Sequence, residues 1–359
     1  MSRTRVGLLY GGRSSEHDIS ILSAQNVHAA LAPERYDVVP LFIDPDGRWW
    51  RDRSADALAG GSGDAERDAV VVTPYASGGL AALADGKLES LRLDVVVPIL
   101  HGQGGEDGVV QGLLAAAGVP FVGPGVLASA VCMDKEVAKR LLEASGIPTA
   151  PFVAVRRAHR DEVSFADVKA KLGLPVFVKP ANSGSSVGVT KVEDEAGFGP
   201  ALDEAFRFDG KVLVEQAIEG REIEVAVLGN ERPEASVPGE IVSTSTFYDY
   251  ESKYTDPDSS RMEVPAEIPP GVAERVREIA LQAYTVLGCE GLARVDFFVR
   301  DDGSALLNEV NTIPGFTKRS MYPVMWERSG LAQPALLDRL IALAQQRHER
   351  DAAIATKRA

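Results

Sequence analysis

The 359-residue chain is 45% hydrophobic and 25% charged, with a formal net charge of -14 and two cysteines, the balance of an ordinary soluble globular protein of two or three domains. That charge excludes non-specific attraction to nucleic acid or an anionic membrane, so neither partner is expected and any anionic ligand needs a local basic cluster. Cys132 and Cys289 stand in no metal-ligand spacing and read as buried thiols rather than a disulfide framework or zinc site.

The first apolar run covers only residues 6–10, and no apolar span approaches the ~18 residues of a membrane helix, which makes the cytoplasm the expected compartment. That run predicts a strand, Gly11 and Gly12 a turn, and residues 14–18 a helix start with Ser15 as N-cap. The spacing of Ile19, Leu22, Asn26, Val27 and Ala30 predicts a helix packed on a sheet, and residues 38–43 the next strand, a βαβ opening. The Gly-x-Gly-x-x-Gly order of a dinucleotide site is missing. Glu16 falls at the helix N-terminus, on the sheet edge where such folds hold ligands. It is either a ligand-binding carboxylate or a first-turn residue favouring the helix dipole.

Residues 45–90, rich in Asp, Gly, Ser and Ala, predict a surface insertion. A strand over 94–100 then enters His101-Gly102-Gln103-Gly104-Gly105-Glu106-Asp107-Gly108, with a helix over 109–117. His101 is a substrate contact or a loop hydrogen-bonder. A helix over 128–144 carries Lys135 in its first turn, where a cation opposes the dipole unless an anion is near.

Residues 176–179 predict a strand and 180–189 a Gly/Ser-rich loop without the Gly-x-x-x-x-Gly-Lys-Ser/Thr order. The loop is a hairpin lid whose N–H groups and serine hydroxyls close over phosphates, or a plain surface hairpin. A strand over 211–218 places Glu215 at a crossing between two domains, a common nucleotide site, and alternation puts Glu222 and Glu224 on one face of the next strand. Residues 246–257 join four aromatics to charges and, as a loop, expose more aromatic surface than water favours, so they are expected to fold over a ligand. A helix over 273–287 leads to the hairpin 291–315; a last helix over 334–346 precedes a frayed tail to residue 359.

The hairpin carries the sharpest expectation. With Asp302-Gly303 as a two-residue turn, Asp301 faces Ser304, Asp296 faces Glu309 and Arg294 faces Asn311, all on one side. Cross-strand carboxylates about 5 Å apart repel unless a cation lies between them. Oxygen-only donors suit Mg2+ or Mn2+, and Mg2+ usually brings nucleotide phosphates. The competing reading is a solvated polar face, and a one-residue slip would separate the carboxylates.

Taken in order, the Gly-Gly-x-Ser-x-Glu loop ending in Glu16, the His101 to Gly108 run, Met133-Asp134-Lys135, Val178-Lys179-Pro180 with Gly184-Ser185-Ser186-Val187-Gly188, Phe247-Tyr248-Asp249-Tyr250-Glu251-x-Lys253-Tyr254, Arg294-Val295-Asp296 and Asn308-Glu309-Val310-Asn311-Thr312 resemble D-alanine:D-alanine ligases of the ATP-grasp superfamily. The resemblance covers about residues 6–340. It implies an α/β, three-domain ATP-grasp fold: an N-terminal Rossmann-like substrate domain to about residue 125, a central subdomain with the lid to about 214, and a C-terminal subdomain with the metal site to about 345.

The resemblance further implies that Lys135 and Lys179 contact phosphates, Ser185 and Ser186 belong to the lid, Glu215, Gln216, Ala217 and Ile218 form the adenine edge, and Glu222 holds the ribose. Phe247 and Asn308 fall in the nucleotide set, Asn308 standing where other members carry leucine. Asp296, Glu309 and Asn311 match a site for two Mg2+ (or Mn2+). Glu16 takes the ammonium of the first D-alanine, hydrogen-bonded with Ser185 and Tyr254, and His101 lines that site. Arg294 and the Gly315 N–H form the oxyanion hole, while Ser320 and Lys253 hold the second substrate's carboxylate.

ATP-dependent formation of D-alanyl-D-alanine for peptidoglycan precursors follows, with K+ activation and a homodimer implied on the same ground. The form of the Tyr254 loop favours a D-alanine acceptor. The alternatives are a ligase using D-lactate or D-serine and, in a different class, a non-catalytic ATP-binding module, against which the oxyanion arginine argues.

Overall fold

The computed structural model describes residues 3–54, 58, 66–74, 79–243 and 260–354. Three sheets carry the site. The first comprises β1 (Thr4–Gly11), β2 (Tyr36–Ile43), β3 (Trp49–Asp52), β4 (Arg67–Val72), β5 (Leu80–Ala84), β6 (Lys87–Ser90) and β7 (Val95–Ile99), in the spatial order β6-β5-β4-β3-β2-β1-β7. β1 lies parallel to both β2 and β7, and its Val6, Leu8 and Leu9 are fully buried, as a continuous apolar strand covered on both faces must be. The helix His17–Ala30 makes the crossover from β1 to β2, which delivers the βαβ opening.

The expected surface insertion is instead a continuation of this sheet: β3 to β6 pair antiparallel, one after another, outward from β2. Its small apolar residues are what the composition disguised, since Leu80 and Ala82 are fully buried. Ser15 is not the N-cap either; the helix begins at His17 with Glu16 in the capping position and no side-chain cap.

The second sheet holds β8 (Phe152–Arg156), β9 (Val176–Pro180), β10 (Thr190–Val192) and β11 (Lys211–Gln216), ordered β10-β9-β11-β8 with every pairing antiparallel. The third holds β12 (Arg221–Gly229), β13 (Glu234–Ala235), β14 (Gly239–Ser243), β15 (Ser260–Glu263), β16 (Gly291–Val299) and β17 (Ala305–Asn311), ordered β15-β14-β12-β16-β17 with β13 also on β12. The helix expected over 128–144 is two, Val126–Met133 and Lys135–Ala144. Asp134 breaks it by accepting a hydrogen bond from Val137 N (3.1 Å) while its carboxylate takes Lys211 Nζ at 2.6 and 2.7 Å.

Both helices share a core with the third sheet and the helix Pro270–Val286. Within it the thiols of Cys132 and Cys289 are free and buried, as expected, with sulfurs 3.7 Å apart. The last helix, Gln333–Ala352, runs six residues past its expected end. Arg347 explains this: it is buried, donates to the carbonyls of Phe121 and Gly123, and stacks 4.5 Å from the Phe121 ring. Among the described residues, no helix is long and apolar enough to cross a membrane.

Candidate active site

A cleft of about 800 Å3 opens between the third sheet and the helix His17–Ala30 with the loop after β7. Its lining includes Glu16, His101, Ser185, Glu222, Arg294, Asp296, Asn308, Glu309, Asn311, Gly315 and Ser320. The β16/β17 hairpin builds its floor, with Asp296 opposite Glu309 and Arg294 opposite Asn311, as expected. The turn is not. Val299 pairs with Ala305, Arg300 N donates to Ser304 O (2.9 Å) and Gly303 adopts φ 82°, so Ser304 faces Arg300 rather than Asp301 across a three-residue loop. A bulge then inserts Asn308 between the Phe297–Leu307 and Asp296–Glu309 pairs and restores the expected register.

The carboxylates on this floor are compensated by cations. Arg294 donates from Nε and Nη2 to the two Asp296 oxygens at 2.8 Å each, and its Nε lies 3.0 Å from Glu224 Oε2 on the adjacent strand β12. Asn311 Nδ2 donates to Asp296 (2.9 Å), and Lys135 Nζ stands 3.6 Å from Glu309. Loss of water works against the Arg294 charge, but Asp296 and Glu224 outweigh it and hold the guanidinium well above its ordinary pKa. Two cross-strand carboxylates and an amide are the hard oxygen donors a divalent cation takes, so the set fits one. Among the described residues no group of three or more His, Cys, Asp or Glu does so.

The second sheet holds the remaining lysine. Lys179 on β9 and Lys139 on the helix Lys135–Ala144 flank the buried Glu215 of β11 at 2.6 and 3.1 Å. Burial alone would raise the Glu215 carboxyl; the two ammonium groups pull it below its usual value. Lys135 Nζ donates to Ser183 O (2.6 Å) at the base of the lid. Lys179, Ser186 and Glu215 to Ile218 thus lie beyond the cleft lining, with Lys135 bridging the two regions through Glu309.

The lid reaches the start of the helix His17–Ala30. Ser185 and Ser186 take left-handed φ values of 47° and 59°, sparsely populated for residues with a Cβ, and Ser185 Oγ donates to Glu16 Oε1. Gly184 and Gly102 flank that carboxylate so closely that an added Cβ would lie 3.2 and 3.0 Å from Glu16 Oε2. His101, buried, hydrogen-bonds Ile313 O through Nδ1 (3.0 Å), and burial lowers its pKa despite Glu16 nearby. Gly315 packs on Ser320, whose Oγ accepts from Thr317 N (2.9 Å).

Three residues, Glu224 and Glu106 in the cleft and Lys139 beyond it, escaped the sequence reading as site residues. Glu224 was visible only as a strand neighbour of Glu222. Glu106 sat unassigned in the glycine run; it accepts from Gly102 N (2.7 Å) and Ile313 N (3.2 Å), while burial and the nearby Glu16 push its carboxyl up to about 8. Lys139 gave no signal, because a lysine on an amphipathic helix reads as solvent-facing. Phe247, Lys253 and Tyr254 lie outside the described residues.

A mixed α/β body closing on two sheets with flanking lysines, a Gly/Ser lid and an acidic hairpin defines an ATP-grasp ligase. Models of the D-ala D-ala ligase N-terminus and C-terminus match residues 5–124 and 141–342. D-alanine--D-alanine ligase A of Escherichia coli (strain K12) is 49% identical over 99% of this chain and 100% of its own length, and D-alanine--D-alanine ligase of Shouchella clausii 46% identical over 98% and 97%. The solved D-alanine-D-alanine ligase from Coxiella burnetii superposes with a TM-score of 0.87 at 37% identity, covering 98% of this chain and 97% of that one. The VanG D-Ala:D-Ser ligase from Enterococcus faecalis gives 0.86 at 35%, covering 96% and 100%. The chain belongs to the D-alanine--D-alanine ligase family, whose members are ligases that use ATP and a divalent metal.

Proposed function

We propose that this chain joins two molecules of D-alanine into D-alanyl-D-alanine, converting ATP to ADP and phosphate through an acyl phosphate, in the synthesis of peptidoglycan precursors. The observation that carries the reading is one cleft in which Glu16 with Ser185, Arg294 with Asp296, and Gly315 with Ser320 converge.

Glu16, oriented by Ser185, takes the ammonium of the first D-alanine, and Tyr254 completes that contact. The carboxylate of this D-alanine attacks the γ-phosphorus, ADP leaves, and an acyl phosphate results. Asp296, Glu309 and Asn311 would hold two Mg2+ or Mn2+, which would supply neutralisation of phosphate charge. Lys135 and Lys179 face the phosphates, Glu215 to Ile218 the base, Glu222 the ribose, and Asn308 with Phe247 the nucleotide's rim. The lid carrying Ser185 and Ser186 excludes the water that would hydrolyse the acyl phosphate. Ser320 and Lys253 hold the second D-alanine by its carboxylate while its free amine attacks the carbonyl carbon. Charge then develops on the carbonyl oxygen, where Arg294 and Gly315 N–H stabilise it; phosphate departs and the amine gives up its proton.

The proposal extends to the division of the chain near residues 125 and 214, a homodimer, activation by K+ and a cytoplasmic setting, each supported by the family resemblance. Similarity to a D-Ala:D-Ser ligase favours one second reading, a D-serine acceptor. The deciding experiment measures phosphate release from Mg-ATP with D-alanine alone, then with D-serine or D-lactate added, and identifies products by mass. Turnover with D-alanine alone, giving its dipeptide, is the expected result. Turnover only with D-serine or D-lactate replaces the acceptor, and none at all returns the chain to a nucleotide-binding module.

A further inference from the structure

The segment linking Asn311 to Ser320 belongs to the third sheet by connection, yet its backbone is held by side chains of the first. Ile313 N donates to Glu106 Oε1 (3.2 Å), and Ile313 O is hydrogen-bonded by His101 Nδ1 (3.0 Å). Three residues on, Phe316 N donates to Ser23 Oγ (3.2 Å), and Phe316 O accepts from Asn26 Nδ2 (2.7 Å). Gly315 lies between these two fixed residues.

The four contacts form a connected set. Burial keeps His101 neutral, so donation from Nδ1 to Ile313 O leaves Nε2 as an acceptor, 3.4 Å from Ser23 Oγ. The Ser23 hydroxyl can then accept from Phe316 N and donate to His101 Nε2, so that each donor from Phe316 N through Ser23 to His101 Nδ1 has one acceptor. Glu106 is itself tied to the first body by Gly102 N (2.7 Å), and Thr312 Oγ1 stands 3.4 Å from its carbonyl. Ser23 and Asn26 lie on the helix His17–Ala30, while His101 and Glu106 lie in the loop after β7.

We propose that Ser23, Asn26, His101 and Glu106 are a positioning clamp through which the first body aims the Gly315 N–H at the developing oxyanion. The proposal rests on the reading of Gly315 under the proposed function. None of the four need touch the reacting atoms for this role. Their effect is transmitted through the peptide planes on either side of the one that carries Gly315 N–H, where a displacement of about 1 Å is enough to cost on the order of 100-fold in rate.

Asn26→Leu and Glu106→Gln test it, Asn26 being partly exposed and so open to replacement without a void in the core. With wild-type turnover established first, kcat is expected to fall about 10- to 100-fold in each, with KM for ATP within about 2-fold of wild type. Affinity for a tetrahedral phosphinate dipeptide should weaken by the same factor as kcat. An unchanged kcat, or kcat and KM for ATP moving together, overturns the clamp. Hydrogen exchange of a peptide covering residues 311–317 separates this from failure of the functional reading: it should quicken in both variants whatever the reaction, and no change also overturns the clamp.

Discussion

Arg294 and Asp296, two residues apart on β16, are joined by two parallel hydrogen bonds of 2.8 Å, so the residue read as a metal ligand is already neutralised by the residue read as the oxyanion donor. The same guanidinium lies 3.0 Å from the buried Glu224. Arg294→Gln therefore strips two carboxylates of their partner, a change that typically costs about 3–5 kcal/mol when a buried charge is left uncompensated. The variant should melt well below wild type without metal and gain more in melting temperature than wild type does when Mg2+ is added. Turnover should fall by about 100- to 1,000-fold, the range for losing one oxyanion donor. Thermal melts with and without Mg2+, beside steady-state kinetics, check both parts.

Glu309 faces Asp296 across the hairpin and has Lys135 3.6 Å away. Glu309→Gln keeps the size of the side chain and removes one metal-binding charge. The fold should survive, with a melting temperature within a few degrees of wild type, while turnover falls by about 100-fold or more and needs higher Mg2+ to reach half its maximum. Metal titration of phosphate release is the measurement. Wild-type kinetics in this variant would remove the metal assignment.

The Asp296–Glu309 pairing was legible in the sequence, though the path to it was not. Counting back from a two-residue Asp302-Gly303 turn gives the right partners only because the real three-residue loop is offset by the Asn308 bulge. A bulge has no reliable mark in one sequence, since its extra residue obeys neither strand period nor turn chemistry. Apolar strands such as β1 and β7 were readable because both faces are buried. Helix ends were not: Asp134 splits one helix and Arg347 prolongs another through contacts with distant segments. Glu106 and Lys139 were invisible for the same reason, as their partners Ile313 and Glu215 are far along the chain.

Ser185 closes the lid onto Glu16 through its hydroxyl, with φ at 47°. Hydrogen bonds to a charged group are worth about 1.5–3 kcal/mol, which corresponds to roughly 10- to 150-fold. Ser185→Ala should raise KM for the first D-alanine by about that factor. KM for ATP should change much less, because Lys135 pairs with Glu309 and Lys179 with Glu215, neither through the lid hydroxyl. Ser185→Gly removes the hydroxyl and also relieves the left-handed backbone, so its lid should be less firmly set and its KM for D-alanine at least as high. Initial rates over both substrates separate the two effects.

Glu106 and His101 meet at Ile313 and shift in opposite senses, Glu106 up to about 8 and His101 below its usual value, both chiefly by burial. For Glu106, the native state holds a proton over a range where the unfolded chain has released it, so its contribution to stability is present below the ordinary carboxylate range and is lost as pH rises toward 8. For His101 the unfolded chain binds the proton more readily, so stability rises with pH up to the ordinary imidazole range, about 6.5, and is level above it. Between about pH 6.5 and 8.5 only Glu106 of this pair still titrates, and its part of the melting temperature falls with pH. Glu106→Gln cannot titrate, so the wild-type minus variant difference in melting temperature, measured without ligands, should shrink or become negative across that window and then flatten. A difference independent of pH would place the Glu106 carboxyl at an ordinary pKa and leave the two N–H groups of Gly102 and Ile313, rather than burial and Glu16, as the dominant influence on it.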